Sequence, residues 1–362
     1  MSQSQSADAS KNVRDPKSKL QHIEACLKDE CEYRKSTGFE RFSFVNQALC
    51  DVSLEDISLE THLVDKSIGA PLMIASMTGG VEQAFALNQM LARAAEKHRI
   101  PMGVGSQRVG IEDDSRAAFF NIRKDAPNAF LFANIGAVQL AKGWGVDEAK
   151  RAVDMIEADA LFLHINPIQE AIQGGDVDFK GLAKRIKEVT LALRKQGIPV
   201  FAREVGFGIS EEAARVLVDC GVAGIDCAGA GGTSWAKVEG MVAKTERRRI
   251  LGARFAEWGI PTSETLQMVR RASSHIPLIA TGGIRDGVDV AKAIGLGADI
   301  VAMARPFLQA AHIGNNQDEN EEAIDSFIHN TLEELRICMF GIGAADVEAL
   351  NNTRHLSEKG IG

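Results

Sequence analysis

The sequence predicts a closed (β/α)8 barrel, on three observations. Eight short apolar runs recur along the 362 residues, most are followed by helical periodicity, and the residues just after the runs are rich in glycine and polar groups. The runs are Pro71–Met77, Ile100–Val104, Ala129–Asn134, Ala160–Ile165, Pro199–Glu204, Val222–Cys227, Pro277–Thr281 and Ala298–Met303. Continuous apolar strands alternating with helices imply parallel strands covered on both faces. An open doubly wound sheet is the alternative, but its first turn lacks a GxGxxG fingerprint.

The helices follow in order. Leu87, Leu91, Ala94/Ala95 and His98 form a helical stripe after the first run. Leu182, Ile186, Val189 and Leu193 form another after the fourth, stopped by Gly197. Ser210 caps a helix after the fifth run, with Glu211 and Glu212 in its first turn, and Asp286 caps one after the seventh. Residues 1–17 are polar and lack an apolar core, so they read as a disordered tail rather than a signal peptide. Residues 18–70 form an N-terminal extension over the active site, with short strands expected at Phe42–Val45 and Ile57–Thr61. Residues 71–350 form the barrel, 228–262 a long loop after strand six, and 351–362 a C-terminal tail.

Composition narrows the function. Hydrophobic residues make up 45 % of the chain, enough for a full core. A net charge of −8 disfavours nucleic-acid binding. No apolar run is long enough for a membrane span. The six cysteines show no CxxC spacing and fit a reduced, cytoplasmic protein rather than a disulfide or zinc framework.

In a barrel the residues after each strand share one pocket. Strand four ends in His164, Asn166, Gln169 and Glu170, a density of polar, protonatable and metal-capable groups that a structural turn does not need. Taken alone, His164 reads first as a core histidine, a reading that Asn166 and Gln169 shift toward the site, and the alternative for Glu170 is the partner of an arginine. Strand one is followed by Ser76-Met77-Thr78-Gly79-Gly80, where the glycines suit close approach to a flat ligand or a tight turn. Strand two leads to Ser106-Gln107-Arg108, strand three to Asn134. Arg203, inside the fifth apolar run, needs an electron-rich partner, and Glu204 is not it, because adjacent strand residues face opposite ways. Gly229–Trp235 includes Thr233 in a candidate anion nest. Gly282-Gly283-Ile284-Arg285 and Ala304-Arg305 fall after strands seven and eight, where barrels commonly hold a phosphate. Together these loops imply a phosphorylated planar cofactor, most simply FMN.

The chain resembles the type 2 isopentenyl-diphosphate isomerases from about residue 19 to 350. The resemblance is carried by Lys19-Leu20-Gln21-His22, Met77-Thr78-Gly79-Gly80, Gly105-Ser106-Gln107-Arg108, His164-Ile165-Asn166-Pro167-Ile168-Gln169-Glu170, Glu204-Val205-Gly206-Phe207-Gly208, Gly231-Gly232-Thr233-Ser234-Trp235, Thr281-Gly282-Gly283-Ile284-Arg285 and Ala304-Arg305-Pro306. It implies an FMN-dependent barrel interconverting isopentenyl and dimethylallyl diphosphate by allylic proton transfer in isoprenoid biosynthesis. Mg2+ and reduction of the flavin by NADPH come with it, as does a homo-oligomer built of tetramers.

By the same likeness Ser76, Met77, Thr78, Ser106, Asn134 and Arg203 line the flavin ring. Thr233, Gly282, Gly283, Arg285, Ala304 and Arg305 hold its ribityl phosphate. Ser18, Lys19, His22, Ser106, Gln107, Arg108, Gln169 and Trp235 contact the substrate, with Glu239 nearby. His164, Asn166 and Gln169 act at the reacting centre, and Glu170 binds the metal. Two positions depart from the family: Ser18 stands where an arginine precedes the lysine, and Arg203 where a strand-five lysine meets the flavin. An FMN oxidoreductase of the 2-hydroxy-acid dehydrogenase kind shares the barrel and glycine loops and is the competing reading. A repurposed isomerase homologue is the other.

Overall fold

A computed structural model describes residues 16–359, with side chains from Lys19 onward. Eight parallel strands close into a barrel: β1 (Leu72–Ile74), β2 (Met102–Gly103), β3 (Leu131–Gly136), β4 (Ala160–His164), β5 (Val200–Arg203), β6 (Gly224–Asp226), β7 (Leu278–Thr281) and β8 (Ile300–Met303). Closure comes from β8 pairing with β1, Val301 opposite Leu72 and Met303 opposite Ile74. Every apolar run supplies one strand, and β3 runs two residues further than expected.

The expected helix signals operate locally. Leu87, Leu91, Ala94 and Ala95 are buried on helix Glu82–His98, whereas His98 turns outward to Asp325 Oδ1 at 2.9 Å. Leu182, Ile186, Val189 and Leu193 are buried on Leu182–Arg194. Ser210 Oγ accepts from the Ala213 amide at 3.2 Å, and Asp286 Oδ1 from the Asp289 amide at 2.8 Å.

The barrel interior is filled in layers. Phe132 stacks on Phe162 with ring centroids 4.1 Å apart, and Phe201 meets both edge-on. Below them a hairpin, Thr61–Leu63 and Lys66–Ile68, inserts Leu63 and Ile68 into the same buried cluster. It plugs the amino-terminal end of the barrel and leaves the carboxyl end open for ligands.

Four expectations are corrected. Ile57–Thr61 is not a strand. Leu54–Asp56 forms a 3-10 turn, Ile57 and Leu59 are buried, and the Ser58 amide makes a bond to the Ala345 carbonyl. The strand pair starts only at Thr61. The long loop after strand six contains helices Trp235–Met241 and Glu246–Arg254, the first capped by Ser234 Oγ. The C-terminal residues fold back: Leu356–Glu358 pairs antiparallel with Phe42–Phe44, tying the extension to the end of the barrel. Pro16 and Lys17, assigned to the N-terminal tail, belong to helix Pro16–Leu27.

Candidate active site

The mouth of the barrel opens into a cavity of about 780 Å³. Strand register determines what faces it. Gly136, His164, Arg203 and Asp226 are consecutive cross-strand partners on β3 to β6 and form one level above the phenylalanine layer. Asn134, on the same face of β3 as Gly136, accepts a hydrogen bond at Oδ1 from His164 Nδ1 at 2.8 Å. Its Nδ2 donates to the Val104 carbonyl at 3.1 Å, which fixes the amide orientation and places a proton on His164 Nδ1.

Arg203 is buried, with Nε 3.3 Å from Asp226 Oδ2 and its guanidinium carbon 5.4 Å from the Phe162 ring centroid. Burial pushes the Asp226 carboxyl up, opposed by the Arg203 charge. Asp226 is therefore the partner that Arg203 requires. It was readable in principle, as an acid inside the apolar run Val222–Cys227.

Strand four continues through Ile165-Asn166 into the helix Pro167–Gln173, which packs on Trp235–Met241. That packing builds a polar chain. Asn166 Nδ2 donates to Gln169 Oε1 at 2.9 Å and to Glu170 Oε1 at 3.1 Å. Gln169 Nε2 donates to Glu239 Oε1 at 2.8 Å, and His22 Nε2 lies 3.4 Å from the same oxygen. The His22 ring meets Trp235 edge-on.

At the opposite end the loops after β6 and β7 interlock. A Cβ on Gly283 would come within 2.5 Å of the Gly231 carbonyl group, and Gly283 has φ +72°, so only glycine fits. Arg285 and Arg305 stand beside this cradle and both bond Glu32 Oε1, at 3.1 and 2.8 Å. Arg305 also reaches Asp29 Oδ1 at 2.6 Å. Sequence reasoning missed Glu32. It sits in the acidic stretch Asp29-Glu30-Cys31-Glu32, whose pattern does not reveal which acid turns inward.

The cavity brings together Lys19, His22, Ser76, Met77, Thr78, Ser106, Asn134, His164, Asn166, Gln169, Arg203, Thr233, Trp235, Gly282, Gly283, Arg285, Ala304 and Arg305. It does not bring in three others. Gln107 is fully buried, its Nε2 donating to the Ala152 carbonyl and its Oε1 accepting from the Asn134 amide, so it is a brace between strands. Arg108 is held by Glu112 at 2.8 Å and Asp176 at 3.1 Å. Glu170 is buried, with Oε2 accepting from the Asp176 amide at 2.8 Å. The side chain of Ser18 lies outside the described residues. Gly79 and Gly80 make room for Phe120 and Val109 rather than for a flat ligand.

The pocket fits FMN on its own unpaired groups. Ser76 Oγ, Thr78 Oγ1, Asn166 Oδ1, Arg203 Nη1 and Thr281 Oγ1 are buried without a hydrogen-bond partner, and all five residues line the cavity. Buried polar groups left unpaired are costly, so such a set calls for a polar ligand in the cavity. The fold and this donor set define a flavin-mononucleotide barrel.

The model of the FMN-dependent dehydrogenase family matches residues 11–122 and 187–358. An isopentenyl-diphosphate delta-isomerase of Nostoc sp. is 48 % identical over 93 % of this chain and 95 % of its own length. That of Synechococcus sp. is 49 % identical over 92 % and 94 %, and that of Oceanobacillus iheyensis 43 % over 94 % and 96 %. Among solved structures, flavocytochrome b2 matches with a TM-score of 0.66 at 18 % identity, covering 94 % of this chain and 82 % of that one. A lactate oxidase of Pediococcus acidilactici matches with 0.61 at 19 %, covering 95 % and 90 %, so these two share the fold. The chain belongs to the FMN-dependent dehydrogenase family and, within it, to the isopentenyl-diphosphate delta-isomerases.

Proposed function

We propose that this chain interconverts isopentenyl and dimethylallyl diphosphate, with FMN in the barrel mouth and the substrate between the flavin and the N-terminal extension. The observation that carries this reading is the Asn166–Gln169–Glu239–His22 chain, which lies across the mouth beside Trp235.

The reaction moves a proton on at one carbon and off at another. A carbon–carbon double bond is a weak base, so a well-placed acid and its conjugate base are required. Reduced FMN supplies both at N5 with no net redox change, which accounts for a redox cofactor in an isomerase. The chain's residues do the rest. Lys19 and His22 reach the cavity from the extension and meet the anionic diphosphate, and Arg108 joins them by exchanging Asp176 for phosphate oxygens. Trp235 walls off the five-carbon tail from water. Asn166 fixes the Gln169 amide, and Gln169 orients the reacting carbons. His164, its tautomer set by Asn134, steadies the ligand on β4.

Mg2+ has one protein ligand in this reading, Glu170. Among the described residues no group of three His, Cys, Asp or Glu side chains gathers as a metal site, so the other ligands come from the diphosphate and water. NADPH would reduce the flavin, Ser106 would line its ring, and Ser18 would contact the substrate, while Gln107 would support the site as a buried brace. The working form is a homo-oligomer of tetramers in the cytoplasm. Among the described residues no helix is long and apolar enough to cross a membrane.

The test is anaerobic incubation of FMN-loaded protein with Mg2+, NADPH and isopentenyl diphosphate. Dimethylallyl diphosphate should accumulate over many turnovers without matching NADPH loss. Stoichiometric NADPH loss, or no product from flavin-loaded protein, sinks the proposal. The oxidoreductase reading shares the fold, but the three arginines among the cavity-lining residues are each held by acids: Arg203 by Asp226, Arg285 and Arg305 by Glu32.

A further inference from the structure

The Arg203–Asp226 pair takes no part in the proton chemistry above, yet it occupies the floor of the cavity. Asp226 is fully buried on β6, directly opposite Arg203 in the sheet register. A carboxylate in that position needs a cation, and removing either partner leaves an uncompensated buried charge. The pair is not closed on itself. Arg203 turns its Nε edge toward Asp226, 3.3 Å from Oδ2 in an ion pair, rests over the Phe162 ring, and leaves Nη1 buried without a hydrogen-bond partner at the cavity wall. A guanidinium is a rigid fork, so the edge given to Asp226 determines which edge faces the ligand. A lysine ammonium at this position has a single charged head to divide between acid and ligand. The carboxylate also cancels much of the positive charge felt at the cavity floor.

We propose that Asp226 is a positioning residue that aims the Arg203 guanidinium at the bound flavin and offsets its charge, so that the pair rather than Arg203 alone sets the flavin's reduction potential. The inference rests on FMN occupying the barrel mouth and not on the isomerisation. Protein that binds FMN but does not isomerise tests it equally well.

The experiment measures midpoint potentials of FMN-loaded protein by anaerobic dye-linked reduction at fixed pH, with flavin occupancy read from absorbance. Two-electron reduction places negative charge on the flavin, so a less compensated Arg203 favours the reduced form. Asp226→Asn should shift the reduction equilibrium about tenfold toward reduced FMN, about 30 mV for a two-electron couple. Arg203→Gln should shift it the other way by at least as much. In the double variant the Asp226→Asn step should be worth a different amount, because the two residues act as one unit.

Arg203→Lys keeps the charge and the fold but cannot hold Asp226 and the flavin edge with one fork. It should lower the potential, equivalent to about threefold in the same equilibrium, and it keeps the test open where the Asp226→Asn protein fails to load flavin. A wild-type potential in flavin-loaded Asp226→Asn or in Arg203→Lys overturns the proposal, as do strictly additive shifts in the double variant. Either result would reduce Asp226 to a structural counter-ion.

Discussion

The two halves of the cavity are prepared differently. The half built on strands β1, β5 and β7 presents Ser76, Thr78, Arg203 and Thr281 with polar atoms unpaired and fixed by the sheet. The half built from the N-terminal extension and the helices after β4 and β6 is mostly bonded within itself, with His22 Nε2 and Asn166 Oδ1 left without a hydrogen-bond partner. Gln169 donates to Glu239, His22 Nε2 lies 3.4 Å from the same carboxylate, Glu170 braces the Asp176 turn, and Arg108 is held by Asp176 and Glu112. A ligand entering the first half gains hydrogen bonds without breaking any. A ligand entering the second must exchange existing ones. Preorganisation suits a resident cofactor that binds once, whereas exchange suits a substrate that must leave at every turnover.

The largest effect belongs to the preformed half. Gly283→Ala forces a Cβ against the Gly231 carbonyl group at a positive φ. Flavin affinity should fall by at least about a hundredfold, a loss of roughly 3 kcal/mol, read from absorbance after dialysis. Normal flavin retention would show that the two loops yield easily, and the contrast between halves would disappear. Next, Gln169→Ala should lower kcat by about 10²–10³ with the flavin spectrum unchanged, as expected of a group acting at the proton-transfer step. A matching loss of flavin would mean that Gln169 belongs to the preformed half.

Glu170→Gln should weaken the apparent Mg2+ affinity by about tenfold or more while leaving flavin bound. Full activity at limiting Mg2+ would remove the metal role. The smallest effect concerns Asp176. Burial opposes ionisation there, but hydrogen bonds from Lys142 and Gln139 and the Arg108 charge hold its carboxyl below the ordinary value. A depressed carboxyl contributes stability above its unfolded-state pKa and loses it as pH falls through the folded value. Wild-type protein should therefore lose more stability than Asp176→Asn on acidification below about pH 4, the ordinary aspartate range, in thermal melts across pH. Asp176→Asn should also change KM more than kcat, because it frees Arg108. Identical acid limbs would show that Asp176 contributes nothing measurable to holding the second half closed.

The barrel was legible because each strand is a separate apolar run and local capping follows local rules, as at Ser210 and Asp286. The strand-end lining of the cavity was legible for the same reason: its residues sit directly after the strands, so their order in sequence is their order around the mouth. What escaped depends on packing between distant segments. Glu32 meets Arg285 and Arg305 only because the extension docks across the loops after β6 and β7, with the Tyr33 amide bonded to the Gly232 carbonyl. Gln107 reads as a substrate ligand in its motif, yet side-chain direction after a two-residue strand turns it into the wall. The hairpin at Thr61–Ile68 was displaced from its expected place because alternating Ile57 and Leu59 mimic a strand while burying against the barrel.

The pairing of Phe42–Phe44 with Leu356–Glu358 has a temporal side. Ser43 and Ser357 touch although they are 314 positions apart. The eight barrel strands all fall between these two segments in sequence. Contacts this distant in sequence form late and slowly. This clamp between the two segments therefore closes over a barrel whose own strands are already made.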